Sequence, residues 1–260
     1  MLLYMREFYQ SRELLYTWTM RDFKVRYSQS LLGIAWAILQ PLSLMLIFSV
    51  IFSLFIKVPT EGVPYPLFAY TSLLPWTFFS NALSFAIPSL VNNMNLVSKI
   101  YFPREILPLS SILVCLLDFI ISISIYVFML LWYHWPIGWS VLFVPVILSI
   151  QLIFMYGISL LASAINVFYR DVRFIIPLAV QIWMYISPVI YPVSLVPERL
   201  QPFYLINPMA VIIDSYRRVI LYQQAPDWPY LILATAISLL LLLLSYRYFK
   251  KAEREFADLI

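Results

Sequence analysis

The chain has 260 residues, 63% of them hydrophobic and 12% charged, with a formal net charge of +4 and a mean hydropathy of +0.86. Soluble domains average about 45–50% apolar and about 25% charged residues, so these charges are too few to cover a water-soluble surface. Disorder is excluded by the same figures, because it requires low hydrophobicity and high charge.

The N-terminal stretch, residues 1–30, carries Arg6, Glu7, Arg12, Glu13, Arg21, Asp22, Lys24 and Arg26, and the first long apolar run begins near Leu31. No secretory signal is therefore expected there. Tyr4, Phe8, Leu15 and Trp18 share one helical face, opposite Arg6, Gln10, Glu13 and Lys24, which predicts an amphipathic helix lying in the cytoplasmic membrane interface. The plainer alternative is a solvated N-terminal helix.

A membrane-crossing helix needs about 20 mostly apolar residues. Runs that meet or approach this lie at 31–56, 65–91, 106–133, 140–168, 174–191 and 228–246. The third is broken only by Asp118, and the fifth is short and carries prolines. Residues 192–227 hold Glu198, Arg199, Asp214, Arg217 and Arg218 together with Pro197, Pro202 and Pro208, too polar and too interrupted for a seventh crossing. Charge placement decides between the two topologies. With six crossings and the N-terminus inside, only Lys57, Arg199, Arg217 and Arg218 of the 17 basic residues fall outside, which satisfies the positive-inside rule. The expected fold is all-α: a polytopic membrane protein with six transmembrane helices, an N-terminal amphipathic interfacial helix, an external re-entrant helical hairpin at 193–224 and a cytoplasmic tail at 247–260.

Several residues stand out on this frame. Lys99, Tyr101, Phe102, Pro103, Arg104 and Glu105 form a compact basic-aromatic knob between the second and third spans; such a knob suits docking to a partner or simply fixes orientation. Arg170, Asp171 and Arg173 read as an orienting loop. A carboxylate in hydrocarbon costs roughly 2.5–3.5 kcal/mol on insertion scales, so Asp118 must face protein or water. It is either a pore or proton site, with Ser111, Cys115 and Ser122 on its face, or the partner of a neighbouring helix or of the N-terminal region. His134, among Trp132, Tyr133 and Trp135, belongs to an interfacial belt and receives no role. Trp36, Tyr70, Trp76, Phe78, Phe79, Trp183 and Tyr185 lie away from obvious interfaces. They are candidate channel-lining aromatics, because rings stack on the flat C–H faces of sugars, though core packing competes for each one. Asp214 precedes Arg217 and Arg218 by three and four residues, so a same-helix ion pair is allowed. The hairpin is expected to form two short helices at the outer mouth. There the arginines either meet phosphate or anionic sugar at headgroup level or only anchor the fifth span.

Other chemistry is missing from the sequence. One cysteine, Cys115, and one histidine make no metal-ligand set. Gly33, Gly62, Gly138 and Gly157 are dispersed, so no phosphate-binding loop for ATP is present. Placement of the basic residues favours membrane orientation over nucleic acid. The outward acids Glu61, Glu198, Asp214 and Asp227 are well separated, so no catalytic residues of a glycan-modifying membrane enzyme emerge.

The run Arg21-Asp22-Phe23-Lys24-Val25-Arg26-Tyr27, then Leu32-Gly33, Trp36 and Gln40-Pro41-Leu42, resembles the start of one permease family. The likeness continues through Leu96-Val97-Ser98-Lys99-Ile100-Tyr101-Phe102-Pro103-Arg104-Glu105-Ile106-Leu107-Pro108. It recurs at Asn166-Val167-Phe168-Tyr169-Arg170-Asp171-Val172, Ser187-Pro188-Val189-Ile190-Tyr191-Pro192 and Asn207-Pro208-Met209. The pattern is similar to type-2 ATP-binding-cassette export permeases for polysaccharide and polyol phosphate, and it covers nearly the whole chain. The resemblance implies a bacterial inner-membrane homodimer above two separate ATPase subunits, which bind ATP and Mg. The implied cargo is lipid-linked polysaccharide such as O-antigen, capsule or teichoic acid. It also implies that 99–105 is the ATPase-coupling loop and that 193–224 is a periplasmic gate. A permease for drugs or lipids on the same plan is the alternative.

Overall fold

The structure is a computed structural model that describes residues 11–28, 32–97, 99–100 and 102–256. Among the described residues the chain forms helices and turns, with no strand. The helices are α1 (Arg12–Ser28), α2 (Ala35–Ser49), α3 (Tyr65–Ala86), the short α4 (Ser89–Asn92) and α5 (Met94–Val97), α6 (Ile106–Trp132), α7 (Val144–Phe168), α8 (Val172–Ile186), the single turn α9 (Gln201–Tyr204), α10 (Pro208–Ile220) and α11 (Trp228–Ala252). A wider π-type turn, Val50–Phe55, extends α2, and 3-10 turns precede α7 and α9.

The bundle is built around α3. Of its 22 residues 17 are buried, packed by α2, α6, α7, α8 and α10. A helix enclosed by protein need not be apolar all round, provided its polar groups are answered. Thr71, Ser72 and Thr77 hydroxyls donate to the carbonyls of Leu67, Phe68 and Leu74. The buried Gln151 of α7 donates to the Pro75 carbonyl at 2.8 Å and accepts from the Tyr216 hydroxyl of α10 at 3.2 Å. One amide thus ties three helices together beside the proline.

Among the described residues four helices are long and apolar enough to cross a membrane: Ala35–Ser53, Ile106–Trp132, Trp139–Phe168 and Trp228–Ala252. Of the two remaining expected spans, α3 has the length and carries no charge but is rich in hydroxyls. The other, α8, has 15 residues, about 22 Å of helix at 1.5 Å per residue. The boundaries shift where packing decides. The second run ends at Ala86, and α4 follows Pro88 as a separate turn. The last helix runs past Tyr246 to Ala252, because Phe249 and Ala252 enter a second apolar cluster with Phe102, Leu107, Leu160 and Phe256.

Two further regions differ in detail from the expectation. In the N-terminal region, Tyr4, Arg6, Phe8 and Gln10 lie outside the described residues. Within α1 the apolar residues are divided: Trp18 stacks on Phe102 at 6.0 Å, while Tyr16 and Val25 are exposed. The helix spends its apolar side on α6 and the adjoining loop. In the hairpin α9 is only one turn, and α10 is a core helix with Val211, Ile212, Ile213, Tyr216 and Val219 buried. Asn207 starts α10 by accepting from the Met209 N–H at 3.1 Å, and Pro208 occupies the first helical position.

The closest interhelical approach tied to a glycine is between α7 and α11. A Cβ on Gly157 would lie 3.1 Å from the backbone nitrogen of Leu242 and 3.2 Å from its Cα, so only a hydrogen fits there. Gly157→Val should force these helices apart and destabilise the bundle by about 1–3 kcal/mol, read as a lowered melting temperature in detergent. Gly138→Ala should shift it less, because its close neighbour is the flexible side chain of Gln223.

Candidate functional site

Three polar nodes punctuate the apolar bundle, and most of the residues singled out by sequence fall in or beside them. In the first, Asp118 on α6 meets α1. The Arg26 guanidinium donates to Oδ2 at 2.7 Å and the Tyr27 hydroxyl to Oδ1 at 2.6 Å. Arg26 also lies 3.9 Å above the Phe85 ring and near the Cys115 sulfur at 3.7 Å. One turn on, the Ser122 hydroxyl donates to the carbonyls of Ala37 and Asp118. Of the two readings of Asp118, pairing with the N-terminal region is the one the structure has. The pair is 21% and 15% exposed, shielded enough that removing one charge leaves the other poorly solvated.

The second node lies where α6 begins and α11 ends. Glu105 is buried and accepts from Lys250 Nζ at 2.7 Å; the same ammonium reaches Glu253 at 3.0 Å. The Arg104 guanidinium donates to the Glu253 carbonyl at 2.5 Å. These contacts hold the knob against the C-terminal helix. Glu105, Arg104 and the buried Phe102 are occupied within the chain, so their chemistry braces the C-terminal helix. Tyr101 lies outside the described residues. Lys99 and Ile100 remain exposed and Pro103 half-buried.

At the opposite end of the bundle, Arg217 is among the most deeply buried side chains, 1% exposed. It donates to the carbonyls of Pro188 at 2.6 Å, Val189 at 2.7 Å and Tyr191 at 3.0 Å, and lies 3.8 Å above the Phe68 ring. Burial pushes its pKa down to about 10, with Asp214 opposing the shift, so the group stays cationic at neutral pH. The expectation that both arginines reach headgroup level is corrected for Arg217, which holds the Ser187–Tyr191 turn after α8. Arg218 bonds Asp227 at 3.2 Å, so the recorded ion pair is not with Asp214. Asp214 is half-buried, and burial raises its carboxyl against the pull of both arginines. Tyr191 and Tyr204 share a hydroxyl contact across the hairpin.

The candidate channel aromatics divide. Tyr70, Trp76, Phe78 and Phe79 are at most 3% exposed and form ring contacts inside the bundle: Phe78 with Phe119, Phe79 with Phe154 and Trp183. These four are core residues of this chain, and Phe78 also borders a cavity beside Asp118. The reason is the central place of α3, which sequence alone did not reveal. Trp36 and Tyr185 are 54% and 55% exposed, and Trp183 is half-buried. Arg26, Tyr27, Lys250 and Gln151 were not singled out beforehand. For Arg26 a signal existed, since an acid inside a span demands a cation and α1 supplies one; for Gln151 none did. Among the described residues no cluster of three metal-ligating side chains occurs.

Residues 13–221 match the ABC-2 type transporter family. The chain is 31% identical to the O-antigen export system permease protein RfbA of Myxococcus xanthus over 98% of both sequences. It is 30% identical to the protein of that name from Klebsiella pneumoniae over 95% of both. It is also 22% identical to the polysialic acid transport protein KpsM of Escherichia coli, over 88% of this chain and 90% of the relative. The chain therefore belongs to the ABC-2 type transporter family.

Two measurements check the nodes. Arg217→Gln leaves buried carbonyls without donors and should cost about 1–3 kcal/mol of stability, while Arg218→Gln, which removes one half-exposed ion pair to Asp227, should cost less, about 1 kcal/mol. Melting curves of the two purified variants separate these outcomes.

Proposed function

We propose that this chain is the membrane channel subunit of an ATP-driven exporter that moves lipid-linked polysaccharide, of the O-antigen or capsule kind, across the bacterial inner membrane. The observation that carries this reading is the near full-length similarity to permeases named for O-antigen export. The more distant relative is also named for a glycan, polysialic acid, which favours polysaccharide over drugs or free lipids. The sequence holds no phosphate-binding loop, so ATP and Mg belong to two partner ATPase subunits.

In this reading α2, α3, α6, α7, α8 and α11 cross the membrane, both termini are cytoplasmic and the α9–α10 hairpin is external. The charge distribution supports that orientation, and the enclosure of α3 accounts for its hydroxyls in a crossing helix. The conduit is shared with a second copy. The exposed apolar faces of α2 and α8, both packed on α3, support a seam there: Leu46 and Val50 on one, Phe174, Leu178 and Tyr185 on the other. Trp76 has no part in the seam because it is buried within one chain. The exposed tip Lys99–Ile100, held by the Glu105–Lys250 brace, is the docking point for the ATPase, so movement there passes directly into α6 and α11.

Proteoliposomes holding the chain and its ATPase should translocate lipid-linked polysaccharide only with ATP. Lys99→Glu with Ile100→Asp should weaken ATPase association at least about tenfold while leaving the permease folded. Translocation without any ATPase, or full association of the loop variant, would overturn the respective part of the reading.

A further inference from the structure

A cavity of about 390 Å³ opens beside the first node, where α2 begins and α3 ends. Its wall includes Trp36, Gln40, Asn81 and Phe85, with Arg26 and Asp118 behind them. The volume lies in the range of about 300–1,000 Å³ usual for small-molecule sites. Gln40 and Asn81 exchange two hydrogen bonds across the helices, at 3.0 and 3.3 Å. That exchange uses one N–H and one acceptor position on each amide, so each keeps a second N–H and a further lone pair. Gln40 is exposed, as are Trp36 at 54% and Phe85 at 45%.

Amides left facing hydrocarbon are costly, so this wall requires water or a polar ligand. Its chemistry selects among ligands. An exposed indole offers a flat apolar face, and the spare amide groups offer both donors and acceptors. Arg26 brings no net charge, because Asp118 sits 2.7 Å from it. A phosphate group would meet a cation already neutralised and a carboxylate that repels it. A pyranose ring fits instead: its C–H face matches Trp36, and its hydroxyls both donate to and accept from Gln40 and Asn81.

We propose that this cavity is a binding subsite for an uncharged sugar ring of the cargo. It rests on the reading of the chain as a polysaccharide exporter subunit and adds the place and chemistry of contact. Trp36 and the amide pair hold the ring, and the Arg26–Asp118 clamp fixes the wall on which they stand. The contact is shallow and half-open, so it holds a ring weakly enough for the polymer to move on.

The test uses the permease–ATPase complex in nanodiscs with two probes: end-labelled polysaccharide released from its lipid, and polyprenyl phosphate without sugar. Gln40→Leu with Asn81→Leu should weaken polysaccharide binding about tenfold and leave polyprenyl phosphate binding unchanged. Trp36→Ala, at an exposed position with little packing to lose, should weaken the same binding without lowering the melting temperature. Leu240→Ala, on the exposed side of α11 and away from the cavity, should change neither. Unchanged polysaccharide binding in both cavity variants would overturn the subsite, as would loss of polyprenyl phosphate binding in its place. ATP-driven translocation by the unmodified complex is followed in parallel. If it persists while the cavity variants bind normally, the subsite alone fails; if the unmodified complex neither binds nor moves polysaccharide, the functional reading fails with it.

Discussion

A charge carried into this bundle is stable only when it is answered inside it, and that constraint shapes the rest of the structure. Hydrocarbon offers no hydrogen bonds, so an unpaired donor, acceptor or charge there costs several kcal/mol. The chain has few charges, and three of those within the bundle are held by partners distant in sequence. Asp118 takes Arg26 and Tyr27, Glu105 takes Lys250, and Arg217 takes three carbonyls. Each clamp joins segments distant in sequence, so together they fix a topology that apolar packing alone would leave loosely specified.

The clamps also determine what can move. Because Glu105 and Lys250 bind the start of α6 to the end of α11, a push on the neighbouring loop is delivered to two long helices together. At the other end Arg217 fixes the turn after α8 to a core helix, leaving Arg218, Asp227 and the short α9 nearer the rim. Between these ends α8 is lightly held: Val180 is its one buried residue. Helices with few buried contacts are those that rearrange most readily, which is why the proposed seam and polymer path are placed on the faces of α2 and α8.

Long apolar runs made the helices legible in the sequence, and the third run, 106–133, matches α6 almost residue for residue. Hydropathy reports length and solvent, however, not position within a bundle. It gave no sign that α3 would be the central helix, so Tyr70, Trp76, Phe78 and Phe79 looked available for a conduit when they are core. The same limit applies to α10, whose charged residues suggested a surface helix although Arg217 points inward. Asp118 was more readable, because a lone acid in a span demands a partner. Gln151 and the Gln40–Asn81 pair carry no sequence signal, since an amide in an apolar run looks alike whether it bridges helices or faces lipid.

A double-mutant cycle across Arg26 and Asp118, read as unfolding free energy in bicelles, tests the governing constraint most directly. Arg26→Met and Asp118→Leu should each destabilise the chain by leaving the other charge unanswered. The double variant should recover much of the loss, giving a coupling of about 1–3 kcal/mol. Additive single effects with no coupling would mean that the pair does not hold α1 to α6 and would contradict the account.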